Sequence, residues 1–235
     1  MKTQTFFKMN FSFGIITGGG NELMINKIID SIEAQNIGDY EVIIIGGSPI
    51  KRINTINIPF DETIKRAWIT RKKNIITETA HYENIVYLHD YIMLSDGWYE
   101  GHLKSGNDFK IRMDKIENYD GSRFRDWCIW PHNGNNMDAI IGRNCLIPYD
   151  MTHLSKYQYI SGSYWVAKKE VMTEFKLNEN LAWGEGEDVL WSKQVREKYD
   201  FNMNPNSKVK IMKPNKDRVF DEPTLDQIKT LNNTI

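Results

Sequence analysis

Phe11-Ser12-Phe13-Gly14-Ile15-Ile16-Thr17-Gly18-Gly19-Gly20 and Glu41-Val42-Ile43-Ile44-Ile45-Gly46-Gly47-Ser48 decide the fold class of this 235-residue chain. The first is a short β-branched and aromatic run and the second a continuous apolar one, and each is stopped by glycines. That is the pattern of a strand buried on both faces and followed by a tight loop. Between them Leu23, Ile25, Ile28, Ile29 and Ile32 recur near helical spacing, with Asn21 at the N-cap position, Glu22 in the first turn and Gly38 closing the helix. Strand, helix, strand with fully apolar strands predicts a right-handed βαβ unit in a parallel sheet, and hence an α/β fold.

Working outward, Thr63 to Ala80 reads as a helix in which Lys65, Arg66, Arg71, Lys72 and Lys73 interleave with Ile64, Ala67, Trp68, Ile75 and Ile76. Ile85-Val86-Tyr87-Leu88 is a third buried strand that stops at His89-Asp90. From about Gly101 to Tyr157 the pattern is irregular and rich in Asn, Gly, Asp and aromatics, the composition of function-bearing loops. Strand character resumes over Tyr159 to Ala167, a short helix follows from Lys168 to Phe175, and Asp188 to Tyr199 reads as an amphipathic helix opened by acidic residues. No repeat or linker divides the chain, and the tail beyond Pro214 is polar.

The composition closes off several classes. Hydrophobic residues are 40% and charged residues 26%, enough apolar surface for a core and against disorder. Thirty Lys plus Arg against 31 Asp plus Glu give no electrostatic footprint for nucleic acid. Cys128 and Cys145 form neither a CxxC pair nor a zinc spacing, and His81, His102, His132 and His153 show no i, i+4 pairing. No apolar run approaches the roughly 20 residues of a membrane span, and Met1 to Asn10 lacks the apolar region of a signal peptide. The expectation is a soluble, cytoplasmic protein.

In an open parallel sheet, ligands bind beyond the carboxyl ends of the strands. Here those positions are Thr17-Gly18-Gly19, Gly46-Gly47-Ser48 and His89-Asp90. Glycines let the backbone approach a ligand, and a carboxylate at such an end can hold a divalent cation beside phosphates. The motifs GxxxxGK[ST], GxGxxG and GxSxG are absent, which excludes a P-loop and disfavours a Rossmann dinucleotide site and a serine hydrolase.

The sharpest motif is Trp183-Gly184-Glu185-Gly186-Glu187-Asp188, about 20 residues after Gly162-Ser163-Tyr164-Trp165. Together with the glycine-ended first strands and Tyr87-Leu88-His89-Asp90, it resembles the GT-A glycosyltransferases over most of Phe11 to about Arg218. The likeness is to the family 2 type, and the Trp-Gly-x-Gly-Glu-Asp segment is similar to that of the β-1,4-galactosyltransferases. The resemblance implies one GT-A domain, Rossmann-like with a mostly parallel central sheet flanked by helices. It further implies a nucleotide-sugar half over about 1–100, an acceptor and catalytic half over about 101–213, and a tail from 214 to 235.

Carried over, the resemblance makes Asp90 the last Asp of the family's DxD motif and a ligand of Mn2+ or Mg2+; Leu88 stands where the first Asp would be. Thr17, Gly18, Gly19, Gly47, Arg71, Lys72, Asn74 and His89 would surround a nucleotide-diphosphate sugar, with UDP the expected nucleotide. Arg71 to Lys73 read equally well as a solvated helix face. Asp188 corresponds to the catalytic base and Glu187 to the carboxylate that holds the acceptor. A sugar hydroxyl is a poor nucleophile until a base accepts its proton in the transition state, and a helix N-terminus favours a charged carboxylate. Tyr164, Trp165, Trp183 and Glu185 would bind a glycan acceptor. Met212 and Asn215 would complete the metal shell, Asn215 replacing the family's His, with Asp217 the alternative oxygen ligand. The expected reaction is an inverting sugar transfer to a glycan hydroxyl. Two rivals are a catalytically degenerate glycan-binding protein and a sugar-1-phosphate nucleotidyltransferase.

Overall fold

The computed structural model describes residues 8–129, 145–181, 183–214 and 226. Its strands are β1 (Phe11–Ile16), β2 (Tyr40–Ile45), β3 (Thr55–Ile58), β4 (Asn84–His89), β5 (Ile92–Leu94), β6 (Ile111–Glu117), β7 (Cys128–Ile129), β8 (Cys145–Leu146), β9 (Gln158–Tyr159), β10 (Tyr164–Lys168) and β11 (Phe201–Ile211). The helices are α1 (Glu22–Glu33), α2 (Ile69–Thr79), α3 (Trp98–Ser105), α4 (Lys169–Glu174) and α5 (Glu187–Val195). The central sheet runs β3-β2-β1-β4-β10-β6-β11-β5, and β8-β7-β9 form a small antiparallel sheet. Pairings among β1 to β4 are parallel, as is that of β6 with β11; β10 and β5 run against their neighbours. This is the α/β, mostly parallel architecture that the two glycine-ended runs predict. No described helix is long and apolar enough to cross a membrane.

The register explains where a site can form. Ile16 pairs with His89 across β1 and β4, and Tyr164 pairs with Leu88 across β10 and β4. The loops after β1 and β4 and the turn before β10 therefore emerge at one end of the sheet, bringing residues from the three segments 17–19, 89–90 and 161–163 together.

Local departures from the sequence reading have identifiable causes. Ile25, Ile28, Ile29 and Ile32 form the buried stripe of α1. Leu23 is 84% exposed because it sits two residues before Ile25, on the opposite side of the helix. The helix ends at Glu33 rather than Gly38, and Asn36 makes the turn at φ 53. Asn21 does precede α1, but its side-chain amide donates to the Asp90 carbonyl at 2.8 Å instead of capping the helix.

Helix α2 starts at Ile69, not Thr63. Ala67 sits at φ 51, left-handed backbone that interrupts a helix, and Asp61 closes a turn by accepting from the Thr63 amide at 2.9 Å. Lys65 and the Trp68 indole then donate to the Glu179 carbonyl, each at 2.8 Å, which pins this segment against the stretch before α5.

The irregular middle contains α3 and β6, and neither β6 nor β11 has an apolar run to announce it. Arg112 and Asp114, on β6, are wholly buried because each is satisfied internally. Asp114 accepts from the Trp98 indole at 2.9 Å, from Asn204 at 2.8 Å and from the Tyr164 hydroxyl, and it contacts His102 at 2.9 Å. Arg112 donates to Asn202 at 2.7 Å and to the Gly106 carbonyl at 2.9 Å. Burial alone would raise the Asp114 carboxyl, but its electrostatic interaction with His102, together with these hydrogen bonds, holds it below the usual carboxylate range.

Candidate functional site

At the end of the sheet where β1 and β4 finish, Thr17 and Asp90 meet. The Thr17 hydroxyl donates to Asp90 Oδ2 at 2.7 Å and accepts from the Gly19 amide at 3.0 Å. The loop after β2 is packed beneath them. A Cβ on Gly46 would lie 2.5 Å from the Thr17 carbonyl oxygen, and Gly46 has φ 92, so only glycine lets these loops pack this closely. Gly19 and Gly47 pack on each other in the same layer. Of the glycines expected at a nucleotide, Gly18 is the one that lines the cavity beside Thr17, Asp90 and His89.

That cavity, of about 490 Å³, is also walled by Glu62, Arg66, Lys72, Tyr91, Trp183 and Lys213. His89, Tyr91 and Trp183 belong as well to a smaller one of about 170 Å³ that reaches Gly162, Glu187 and Asp188. Trp183, Arg125, Tyr159, Glu187 and Asp188 then open into a third of about 670 Å³, which Glu185 also lines. One cleft thus runs from the Thr17–Asp90 pair to the start of α5. Trp183, 68% exposed, stands along its whole length.

Asp188 is fixed by two backbone donors. The Gly162 amide donates to Oδ2 and the Val189 amide to Oδ1, each at 2.9 Å. Glu187, beside it on the first turn of α5, is buried, and burial together with the Asp188 charge raises its carboxyl above the usual range. His89 is held neutral: burial pushes its imidazole well below the ordinary value, and Lys73 and Lys213 add to this. Its Nε2 is buried with no hydrogen-bond partner.

Several residues expected in the site lie elsewhere. Tyr164 and Trp165, expected at the acceptor, are core residues with no exposed surface. Tyr164 is bound to Asp114, and Trp165 stacks on Tyr87 at 4.5 Å between ring centroids. The pattern of β10 explains this, since a central strand of the sheet buries both of its faces. Arg71 and Asn74, expected at the nucleotide, point away from the cleft. Arg71 pairs with Glu78 and Glu179. Asn74 is buried, accepts from the Leu177 amide at 3.1 Å and donates to its carbonyl at 2.9 Å. Asn74→Ala is therefore expected to cost about 1–3 kcal/mol of stability in urea denaturation, the penalty of orphaned buried partners, while nucleotide affinity stays within about twofold.

Lys72 does line the cavity, but its ammonium is already engaged by the Thr17 carbonyl at 2.6 Å and by Glu62. A solvated basic face is thus wrong for Lys72 and Lys73, both of which are buried. The sequence reading missed Glu62, Arg66, Arg125, Tyr159 and Lys213 as cleft residues. Lys73 was legible: with Ile69 and Ile76 it falls at i, i+4, i+7 on the buried stripe of α2.

The metal expectation fits in a reduced form. Among the described residues no three His, Cys, Asp or Glu side chains gather into a metal cage. Asp90 offers a carboxylate oriented through one oxygen by Thr17, and a hard cation that keeps its phosphate ligands needs only one or two such carboxylates. Met212 is not part of this arrangement. Its amide pairs with the Tyr91 carbonyl at 2.8 Å, and it lines a separate cavity with Met93 and Tyr119, whereas its neighbour Lys213 lines that of Asp90. Asn215, like Asp217, lies outside the described residues.

No protein-family model matches the sequence, and no curated protein matches it. Solved structures do match. The crystal structure of GalNAc-T7 with UDP, GalNAc and Mn2+ aligns at a TM-score of 0.63 and 12% identity, over 95% of this chain and 48% of that one. S. aureus TarS aligns at 0.58 and 10% identity, over 87% of this chain and 37% of that one. TarS 1-349 aligns at 0.54 and 10% identity, over 95% and 63%. The chain therefore spans from 37% to 63% of the lengths of these proteins. At such identities the likeness is one of architecture, and it gives this chain the GT-A fold of glycosyltransferases.

Proposed function

We propose that the protein is an inverting glycosyltransferase that moves a sugar from a nucleotide-diphosphate sugar, UDP-linked in the first instance, to a hydroxyl of a glycan. The observation that carries this reading is the single cleft that runs from Asp90 to Asp188, with a carboxylate at each end. The Thr17–Asp90 end takes the nucleotide diphosphate. Arg66 and Lys213 line it and supply positive charge against the phosphates, while Lys72 stays paired with Glu62. The neutral His89 imidazole forms part of the wall beside Asp90.

At the other end Asp188 accepts the proton of the acceptor hydroxyl as that oxygen attacks the anomeric carbon from the face opposite the diphosphate. The new glycosidic bond forms as the bond to the phosphate oxygen breaks, and nucleoside diphosphate leaves with the electron pair. Glu187 and Glu185 hold acceptor hydroxyls, and the exposed face of Trp183 stacks on a sugar ring. Asp90 is the residue that would hold a Mn2+ or Mg2+ ion, which when bound supplies Lewis-acid stabilisation of the departing diphosphate.

The test is thermal unfolding with UDP, GDP, CDP and ADP, each with and without Mn2+. A ligand at about 100 times its dissociation constant stabilises the native state by roughly 2.7 kcal/mol. One nucleotide is expected to raise Tm in a Mn2+-dependent way. No shift with any of the four overturns the transferase reading and leaves the degenerate glycan-binding alternative, which the exposed Trp183 favours.

A further inference from the structure

We propose that Lys73 is a positioning residue for Asp188 and acts on it through the backbone of Gly162; the inference rests on Asp188 being the base. Lys73 is 1% exposed. No described carboxylate is hydrogen-bonded to its ammonium, which donates to the Gly162 carbonyl at 2.7 Å and lies 4.6 Å from the centroid of the Trp165 ring. Burial brings the amine down to about 8, and Glu187 and Asp188 are the two charges that counter that fall. A lysine buried so fully without an ion pair is costly. Its placement here is accounted for by what Gly162 does next.

Gly162 is held on both sides. Its carbonyl accepts from Lys73, and its amide donates to Asp188 Oδ2 at 2.9 Å. The approach is as close as the backbone permits, since a Cβ on Gly162 would lie 2.9 Å from that same oxygen and 3.3 Å from the Asp188 carboxyl carbon. The other Asp188 oxygen accepts from the adjacent residue, Val189, so the Gly162 amide is the described hydrogen bond that ties the carboxylate to a distant part of the chain. Lys73 lines none of the three cavities of the cleft. It therefore touches neither substrate and acts by fixing the donor that aims the base. Its neighbour Lys72 contrasts with it: Lys72 is paired with Glu62 and faces the Asp90 cavity.

The experiment compares Lys73→Met, Lys73→Arg and Gly162→Ala, each alone and combined with Asp188→Asn. The first readout is the backbone amide of residue 162 in nitrogen-proton correlation spectra. The second is kcat for release of UDP from UDP-glucose, UDP-galactose or UDP-N-acetylglucosamine with water or a methyl glycoside as acceptor. Lys73→Met is expected to lower kcat about tenfold with UDP affinity unchanged, and Lys73→Arg to recover most of that loss. In the Asp188→Asn background the same change is expected to cost less than twofold, because the group it aims is gone. The Gly162 amide is expected to move in Lys73→Met toward its Asp188→Asn position, with no further movement in the double variant.

Equal losses in both backgrounds, an arginine variant no better than methionine, or a folded Lys73→Met with full kcat and an unmoved amide each overturn the proposal. If Lys73→Met fails to fold, Gly162→Ala probes the same link from its other end, and an additive loss with Asp188→Asn overturns it equally. The two readings separate cleanly. Full activity in Asp188→Asn refutes the base assignment and this inference with it, whereas a dead Asp188→Asn beside a fully active Lys73→Met refutes Lys73 alone. Where the wild type turns over none of the three donors, the amide positions decide the link by themselves.

Discussion

Asp188→Asn is expected to turn over at least about a hundredfold more slowly than the wild type, equivalent to about 2.7 kcal/mol of lost transition-state stabilisation. The substitution keeps the shape of the side chain and one carbonyl-type oxygen, which can still accept from Gly162 or Val189, now 2.9 Å from Oδ2 and Oδ1 respectively. It removes the negative charge, and with it the capacity to accept a proton, at the expense of one of these two backbone hydrogen bonds. Donor affinity is expected to stay within about twofold, because the Thr17–Asp90 cavity does not include Asp188. The signature is therefore a fall in kcat and kcat/KM together, with the nucleotide Kd unmoved, as for a group whose interaction exists only in the transition state. Isothermal titration with UDP and initial-rate measurement of UDP release decide it. Retained turnover removes Asp188 from the role of base, and a fall in Tm of more than a few degrees would assign the loss to folding instead.

The parts of this fold that the sequence announces are those where chemistry and burial agree. In β1, β2 and β4 the apolar runs are buried along nearly their whole length, so composition and position say the same thing. β6 and β11 are central strands whose sequences do not look buried. Arg112, Asp114, Asn202 and Asn204 satisfy one another across them, and Asn204 to Lys208 adds a register shift around Pro205. Polar residues satisfied across two strands carry no signal in a linear pattern, because the partner strand is about ninety residues away.

The same reason governs the site. Asp90, Asp188 and Trp183 follow strand ends or precede a helix and can be placed from local sequence. Arg71 and Asn74 carry the right residue types for phosphate or base recognition, but the segment around Glu179 takes both of them up. Tyr164 and Trp165 sit two and three residues beyond the cleft glycine Gly162, and a motif cannot say that the chain has by then entered the core. Lys73 is the converse case, a charge whose periodic position already placed it inside.

Asp90→Asn is expected to weaken Mn2+-dependent UDP binding at least tenfold and to leave UDP binding without metal unchanged. Asparagine can still accept from the Thr17 hydroxyl, now 2.7 Å from Oδ2, and the Asp90 carbonyl that receives the Asn21 amide belongs to the backbone, so both loops keep their anchors. What is lost is one full negative charge at the end of β4. A hard divalent cation shared between a carboxylate and phosphate oxygens depends on that charge, whereas the basic residues of the same cavity, Arg66 and Lys213, still face the phosphates when the metal is absent. Thermal unfolding then separates the two contributions. The wild type should show a Tm rise with UDP and a larger one with UDP and Mn2+, while Asp90→Asn should show only the first. If both shifts survive in the variant, Asp90 does not hold the metal, and the first place to look is among Asn215, Asp217 and the remainder of the C-terminal segment. If both disappear, Asp90 supports the nucleotide pocket itself, through the loop that Thr17 closes, and its role is to shape that loop.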